Sequence, residues 1–362
     1  MVLIDFFIAI YYNVYIMSNT IEKKKVNLFT KIAVIFLAVI LFFCLIFGCA
    51  VGYFRLTVAH YYQASEKAFV IPGLDDGHVP QGLDYDKENE LFIFSGYMAD
   101  HTASPIYVTN KEGTLLKKVT LYNLDGSDYT GHGGGIAVNG DYMYLAGGES
   151  NCVFVYSYLE LLSAKDGDKL SCLGSISTQK SETDYISNAF VTIYDGKLIT
   201  GEFYREESYP TLDSHKITTK AGDYNQAIAV EYLLDETAPF GVNPTPVKAY
   251  SMPDQVQGLN FNNGKVYLST SWGLSFSHIL EYDLNKLSLE GEIEVLGTTL
   301  PLYAMDSASL LNDYKIPPMS EEVVFIQGKL FTSCESASSK YIFGKFTGGK
   351  WFYATDLEKF NV

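Results

Sequence analysis

Residues 261–271 read "FNNGKVYLSTS", an apolar start, an Asn-Gly turn and then an alternating apolar run. Asn-Gly tolerates the left-handed backbone that the tightest hairpin turns demand, so the stretch predicts two antiparallel neighbouring strands. Close relatives recur as "AVNGDYMYLAGG" at 137–148, "IYDGKLITGEF" at 193–203 and "FIQGKLFTSCES" at 325–336. A divergent fifth copy, "PQGLDYDKENELFIFSGY" at 80–97, replaces the tight turn with "DKENE". After most copies come two more strand-like runs: "SPIYVTN" and "LLKKVTLY", "NCVFVYSYL" and "SCLGSIST", "AIAVEYLL" and "PVKAYSM", "HILEYDL" and "GEIEVLG". Four antiparallel strands repeated around an axis make a propeller.

First strands beginning near 81, 134, 189, 257 and 321 predict an all-β, five-bladed β-propeller; six blades, with one hidden in a loop, is the alternative, and a solenoid or sandwich a third. The fifth hairpin is followed only by "KYIFGKF" and "KWFYATDL", so an outer strand is missing there. "KAFVIPGL" at 67–74 has no partner at the other end. Lending it to the last blade would close the ring and remove an exposed edge.

The 362 residues are 48% apolar and carry a formal charge of −16, enough apolar matter for a large core. Residues 1–55 hold five basic residues against two acidic, a net of +3, which leaves −19 for the rest. So acidic a body repels phosphate backbones, which argues against nucleic-acid partners and favours cations.

Residues 32–54 hold no charge and are long enough to span a bilayer as a helix. Lys23, Lys24, Lys25 and Lys31 precede them, so the positive-inside rule predicts a cytoplasmic segment 1–31, a transmembrane helix 32–54 acting as a signal anchor, a linker 55–65 and an extracytoplasmic propeller 66–362. A cleaved signal peptide would have a shorter apolar region ending in small residues. "IFGC" ending at Cys49 hints at a lipidated cysteine, against which Phe47 is bulky. The leading 16 residues are too short to span, which makes Met17 a candidate start. Cys152 and Cys172 fall on strands expected to be neighbours; a disulfide and two buried thiols both fit, the thiols better given the buried habit of free cysteine.

In such a blade the start of strand one and the end of strand two share a rim. That rim carries the long connections, 204–226 and 298–319, where function concentrates. Strand starts place there Gln81, the glycines of "GHGGGI", Asn188, Gln257, Glu321 and Glu322; strand ends add Tyr97, Glu149, Glu202, Trp272 and Glu335. His78 and His132 precede strand one at equivalent offsets. Polar groups gathered at a channel need water, a cation or a polar ligand as partners, or else they satisfy loop backbone.

Three uses stand open. Gln81, Asn188, Gln257, Tyr97 and Trp272 would bind a small molecule or cell-surface component. Glu321, Glu322 and Glu202 would hold a divalent cation, calcium by its taste for hard oxygens. His132 or His78 beside Glu202 or Glu335 would serve acid–base catalysis. A pure binding role carries the expectation that substituting Glu202 or Glu335 changes stability little. His215, in the long loop after the third hairpin, is either a lid residue or a solvated one.

"VPQGL" and "QVQGL" as strand starts resemble the plant-type glutaminyl cyclotransferases, five-bladed propellers whose blades begin with motifs such as T-Q-G-L. Gln81-Gly82-Leu83 and Gln257-Gly258-Leu259 match that pattern, whereas "HGGG", "SNAF" and "SEEV" replace the family's other starts, so its catalytic glutamate and tryptophans do not carry over. More distantly the chain resembles six-bladed gluconolactonase-like propellers, which implies a cation at the channel mouth and suits Asn188 and Glu321. "PPMSE" at 317–321 and "ESA..KY" at 335–341 resemble segments of bacterial membrane-anchored propellers. The resulting expectation is a membrane-anchored binding or scaffold protein, with a metal-assisted hydrolase, lactonase or cyclotransferase as the alternative.

Overall fold

The computed structural model describes residues 28–341 and 343–360. Met17, Cys-free residues 1–16 and the three consecutive lysines therefore lie outside the described residues. The chain divides into two compact units, residues 1–53 and 54–362.

Of the first unit, residues 28–53 are described, all within the helix Leu28–Thr57, 30 residues that take in the expected span 32–54. At about 1.5 Å per residue it is longer than a hydrocarbon core of about 30 Å. It is the one helix among the described residues long and apolar enough to cross a membrane.

In the second unit, the stretch 55–65 is structured where a linker was expected. Val58, Tyr61 and Ala64 are buried, the last two in the short helix Ala59–Ala64, and Tyr61 packs edge-on against Tyr353 with ring centres 5.5 Å apart. Apolar residues at that spacing give a linker no reason to stay in water.

The sheets then run in chain order. β1 is Ser65–Val70, followed by β2 His78–Asp86, β3 Leu91–Met98, β4 Pro105–Asn110 and β5 Leu115–Tyr122. Next come β6 Ile136–Asn139, β7 Tyr142–Ala146, β8 Cys152–Ser157 and β9 Lys169–Ser177. A short ribbon, β10 Gln179–Ser181 with β11 Asp184–Tyr185, leads to β12 Asn188–Tyr194 and β13 Lys197–Glu202. A second ribbon, β14 Ile217–Thr218 with β15 Tyr224–Asn225, precedes β16 Ala227–Leu234 and β17 Val242–Met252. The rest are β18 Val256–Asn262, β19 Lys265–Thr270, β20 Ser277–Asp283, β21 Ser288–Val295, β22 Thr298–Ala304, β23 Leu310–Ile316, β24 Ser320–Ile326, β25 Lys329–Cys334 and β26 Trp351–Thr355.

Antiparallel pairing arranges these as four-stranded meanders β2-β3-β4-β5, β6-β7-β8-β9, β12-β13-β16-β17, β18-β19-β20-β23 and β24-β25-β26-β1. β1 pairs with β26 from Ser65↔Thr355 to Val70↔Trp351, so the N-terminal strand completes the C-terminal sheet as expected. The first strands then close on one another: β2 packs against β6, β6 against β12, β12 against β18, β18 against β24, and β24 against β2. Apolar clusters fill each gap between successive sheets, the last joining Val324 and Phe352 to Leu83 and Phe92. Sheets stacked radially with their first strands in a closed ring define a β-propeller.

Glycine allows that closeness. A Cβ on Gly135 would meet the backbone of Phe190 and Val191 in β12, and one on Gly258 would overlap the side chain of Glu322. The "GHGGGI" glycines and the Gln-Gly pairs therefore serve contact between first strands.

Two expectations change. "GEIEVLG" is not the outer strand of the fourth sheet: it belongs to the hairpin β21–β22, whose β22 runs parallel to β17 and extends the third sheet. The outer place goes to β23, inside the stretch read as a long loop. The end of "KYIFGKF" is not strand either: Gly344–Thr347 forms a helical turn. β8 and β9 are neighbours, but Cys152 faces Ser177 and Cys172 faces Tyr156, and both thiols are free.

Candidate functional site

The end of the ring where first strands start and second strands finish holds a cavity of about 200 Å³. Four first strands or their leads reach it through Gln81, Gly134, Asn188 with Ala189, and Gln257; all five second-strand ends contribute, through Tyr97, Glu149, Phe203, Trp272 and Glu335. His132, Tyr209, Lys340 and Tyr341 complete the wall from the loops.

One side is polar. Gln81 Nε2 donates to Glu335 Oε2 at 3.0 Å and to the Pro80 carbonyl at 3.0 Å, which fixes the amide across the mouth. Lys340 Nζ donates to the Tyr97 hydroxyl at 2.6 Å, and the exposed His132 ring meets Tyr97 edge-on, centres 4.6 Å apart. Burial pushes the Glu335 carboxyl up to about 7, while Lys340 and Gln81 pull it the other way. Behind it Glu321 is buried with Oε1 unpartnered, and burial, Glu335 and Glu322 raise its pKa well above the carboxylate range. Two carboxyls in one dry recess cannot both ionise cheaply, so they titrate as a pair. The imidazole of His132 is shifted down, first by desolvation against the surrounding rim and then by Lys340.

The other side is aromatic. Phe203, Tyr209 and Trp272 lie with ring centres 5.4 to 6.2 Å apart, and the Arg205 guanidinium sits 4.1 Å over Trp272. Such a wall stacks against flat apolar faces.

The structure thus brings together Gln81, Tyr97, His132, Asn188, Gln257, Trp272 and Glu335. Asn188 is already spent: Thr178 Oγ1 donates to its carbonyl at 2.6 Å, and its amide donates to Thr200 at 2.8 Å. Three residues leave the catalytic and metal sets. His78 is buried against Tyr107, ring centres 4.8 Å apart, and burial followed by Lys118 lowers its pKa to about 3, so it stays neutral and away from the cavity. Glu202 Oε1 accepts from His215 Nδ1 at 2.9 Å and Oε2 from the Ile228 amide at 3.1 Å, a buried tie holding the long loop to β16. His215 is consequently neither lid nor solvated. Glu322 Oε1 accepts from the Leu259 amide at 3.0 Å, in the space that Gly258 leaves.

Glu321, Glu322 and Glu202 therefore form no common ligand set, and among the described residues no three His, Cys, Asp or Glu side chains group to hold a metal. Phe203, Tyr209, Lys340 and Tyr341 escaped the sequence reading. Phe203 follows a strand end by one residue, which positional reading could have found; the others sit in loops that do not repeat.

No family model and no curated protein matches the chain. Among solved structures it is similar to a glutaminyl cyclase of Myxococcus xanthus, at TM-score 0.40 and 12% identity over 80% of this chain and 94% of that one. It is likewise similar to a luciferin-regenerating enzyme (0.39, 15%, 80% and 93%). A PQQ-bound aldose sugar dehydrogenase of Streptomyces coelicolor gives 0.43 and 13%, over 80% and 95%. The closed ring of first strands defines the class, the β-propeller. The reaction of none of these neighbours comes with it.

Proposed function

We propose that the chain is a five-bladed propeller, tethered to a membrane by its N-terminal helix with the propeller outside, that binds a small polar ligand with an apolar face. Each four-stranded meander counts as one blade, and β21–β22 is an extension of the third. The observation that supports binding is the cavity's two-sided wall: Gln81, Glu335, Lys340 and His132 face a ligand's polar groups, while Phe203, Tyr209 and Trp272 cover its apolar face. Lysines before an uncharged run support the orientation.

Trp272 is one of only two tryptophans, which makes the test direct. Full-length protein in detergent is titrated with sugars, amino acids and short peptides while emission and melting temperature are followed. A ligand at this site shifts both in the parent and neither in Trp272→Ala; a set of compounds that moves the two proteins alike, or moves neither, refutes the reading.

Acid–base catalysis is the second reading, favoured by one observation: a carboxyl raised to about 7 in the same cavity as His132. It requires turnover of a bound compound and its loss in Glu335→Gln with binding retained.

A further inference from the structure

The chain enters the second unit at Phe54, at once in an aromatic setting: its ring centre lies 4.5 Å from that of Phe343 and 5.6 Å from that of Phe276. The next residue, Arg55, donates from Nη1 to the Thr347 carbonyl at 3.1 Å, and Tyr62 donates its hydroxyl to the same oxygen at 2.9 Å. The helical turn Gly344–Thr347 is thereby fixed beside the point where the uncharged run ends. That turn presents Phe346, 51% exposed and the one phenylalanine so exposed among the described residues of this unit. Leu274, near Phe276 in sequence, is 54% exposed.

The charge around these residues departs from the rest of the unit. Residues 336–355 contain Lys340, Lys345 and Lys350 and no aspartate or glutamate, although residues 56–362 carry −19. Lys345, Lys350 and Lys315 are exposed, with Lys315 Nζ 5.7 Å over the Phe276 ring. Aromatic rings and lysines side by side at the end of an apolar helix are what the headgroup layer of a bilayer accommodates.

We infer that Phe276, Phe343, Phe346 and Leu274, with Arg55, Lys315, Lys345 and Lys350, form a collar that inserts into the lipid headgroup region and holds the propeller against the membrane. The inference rests on the tethering half of the proposed function; its apolar residues follow the cavity's Trp272 and Tyr341 in the chain, at the same end of the ring. Its occupant is the lipid surface, with anionic headgroups meeting the lysines.

The test uses the full chain reconstituted in vesicles of phosphatidylcholine with phosphatidylglycerol. Flotation after alkaline carbonate first shows whether the helix anchors it. Tryptophan is then introduced as Phe346→Trp or, at the opposite end of the ring, Asn139→Trp, and the added emission is challenged with brominated lipid and with aqueous iodide. The collar predicts quenching of F346W by brominated lipid at least twofold above that of N139W, with N139W answering mainly to iodide. Adding Lys345→Glu and Lys350→Glu to F346W should cut the lipid quenching in anionic vesicles. If the chain floats while F346W answers only to iodide, the collar is wrong and the tether stands; if the chain does not float, the tether fails and takes the collar with it.

Discussion

The two ends of the strand ring differ in almost every respect except that both are open. At the turn end, the β12–β13, β18–β19 and β24–β25 hairpins close with two left-handed residues each: φ is 47° and 71° at Asp195 and Gly196, 50° and 74° at Asn263 and Gly264, 51° and 81° at Gln327 and Gly328. These are the tightest hairpin turns, and they leave a wide opening of about 930 Å³ lined by Asp84, Tyr194, Asn260, Asn262 and their neighbours. Asp84 there accepts from the Val138 amide at 2.7 Å and from that of Tyr85 at 2.7 Å, while burial pushes its carboxyl up to about 6. The opposite end is a smaller cavity, yet it has a carboxyl raised to about 7, with the buried, unpartnered Glu321 oxygen outside its lining, and an aromatic wall. Size does not mark the site. Polar groups left unspent at the cavity do, because each retains binding free energy that a ligand can realise.

The largest test of this contrast concerns carboxylates near the rim that are spent rather than available. Glu202→Ala should destabilise the protein on the order of 3–5 kcal/mol, because His215 and the Ile228 amide would be left buried without a partner. Chemical denaturation measures this directly. The expectation that substitutions at Glu202 and Glu335 change stability equally little is thus divided: Glu335→Gln should keep the fold, since Gln81 can still reach an oxygen there. Equal losses at both positions would erase the distinction between tie and site. At the turn end, Asn139→Ala should stay within about 0.5 kcal/mol.

A second test sharpens the comparison by pH. Glu335 and Glu321 have folded-state pKa values above their unfolded ones, so the folded protein binds the extra proton. Stability from these groups is greatest below the ordinary carboxylate range and falls as pH rises through about 7. His78, lowered to about 3, acts in the opposite sense, but between pH 3 and 6.5 only. Glu335 loses its contribution between its ordinary value of 4.5 and about 7, so from pH 6.5, above the His78 window, to about 7 the melting temperature should still fall. Glu321→Gln should flatten that slope and raise stability at pH 8; an unchanged slope would show that the pair does not titrate there.

Hairpins and rim were legible because chemistry forces them. In these left-handed turns a Gly follows Asn, Asp or Gln, and a repeat position fixes which end a side chain reaches, so Gln81, Tyr97, Gln257, Trp272 and Glu335 fell where expected. What lay beyond was a matter of partners. β2, β12, β18 and β24 all carry a register shift at their starts, so the shift alone does not separate Gln81 and Gln257, which reach the cavity, from Glu321 and Glu322, which do not line it. No local pattern announces such a shift. Sheet membership was hidden likewise, since β21–β22 and β23 alternate equally well and tertiary contact alone assigns the hairpin to β17.

The smallest expected effect concerns cations. Glu202 is held by His215 and Ile228, and one oxygen of Glu322 by Leu259, so the three carboxylates once grouped for calcium share no point from which an ion could reach them. A bound ion would also have to displace the proton that burial keeps on Glu321 or Glu335. Millimolar calcium or excess chelator should therefore move the melting temperature by less than about 1 °C at pH 7. A ligand binding only the folded state at a hundred times its dissociation constant adds about 2.7 kcal/mol, which a melting curve cannot miss. A rise of several degrees with calcium, abolished in Glu321→Gln, would return the cavity to the metal-assisted class and make Glu335 a ligand rather than an acid.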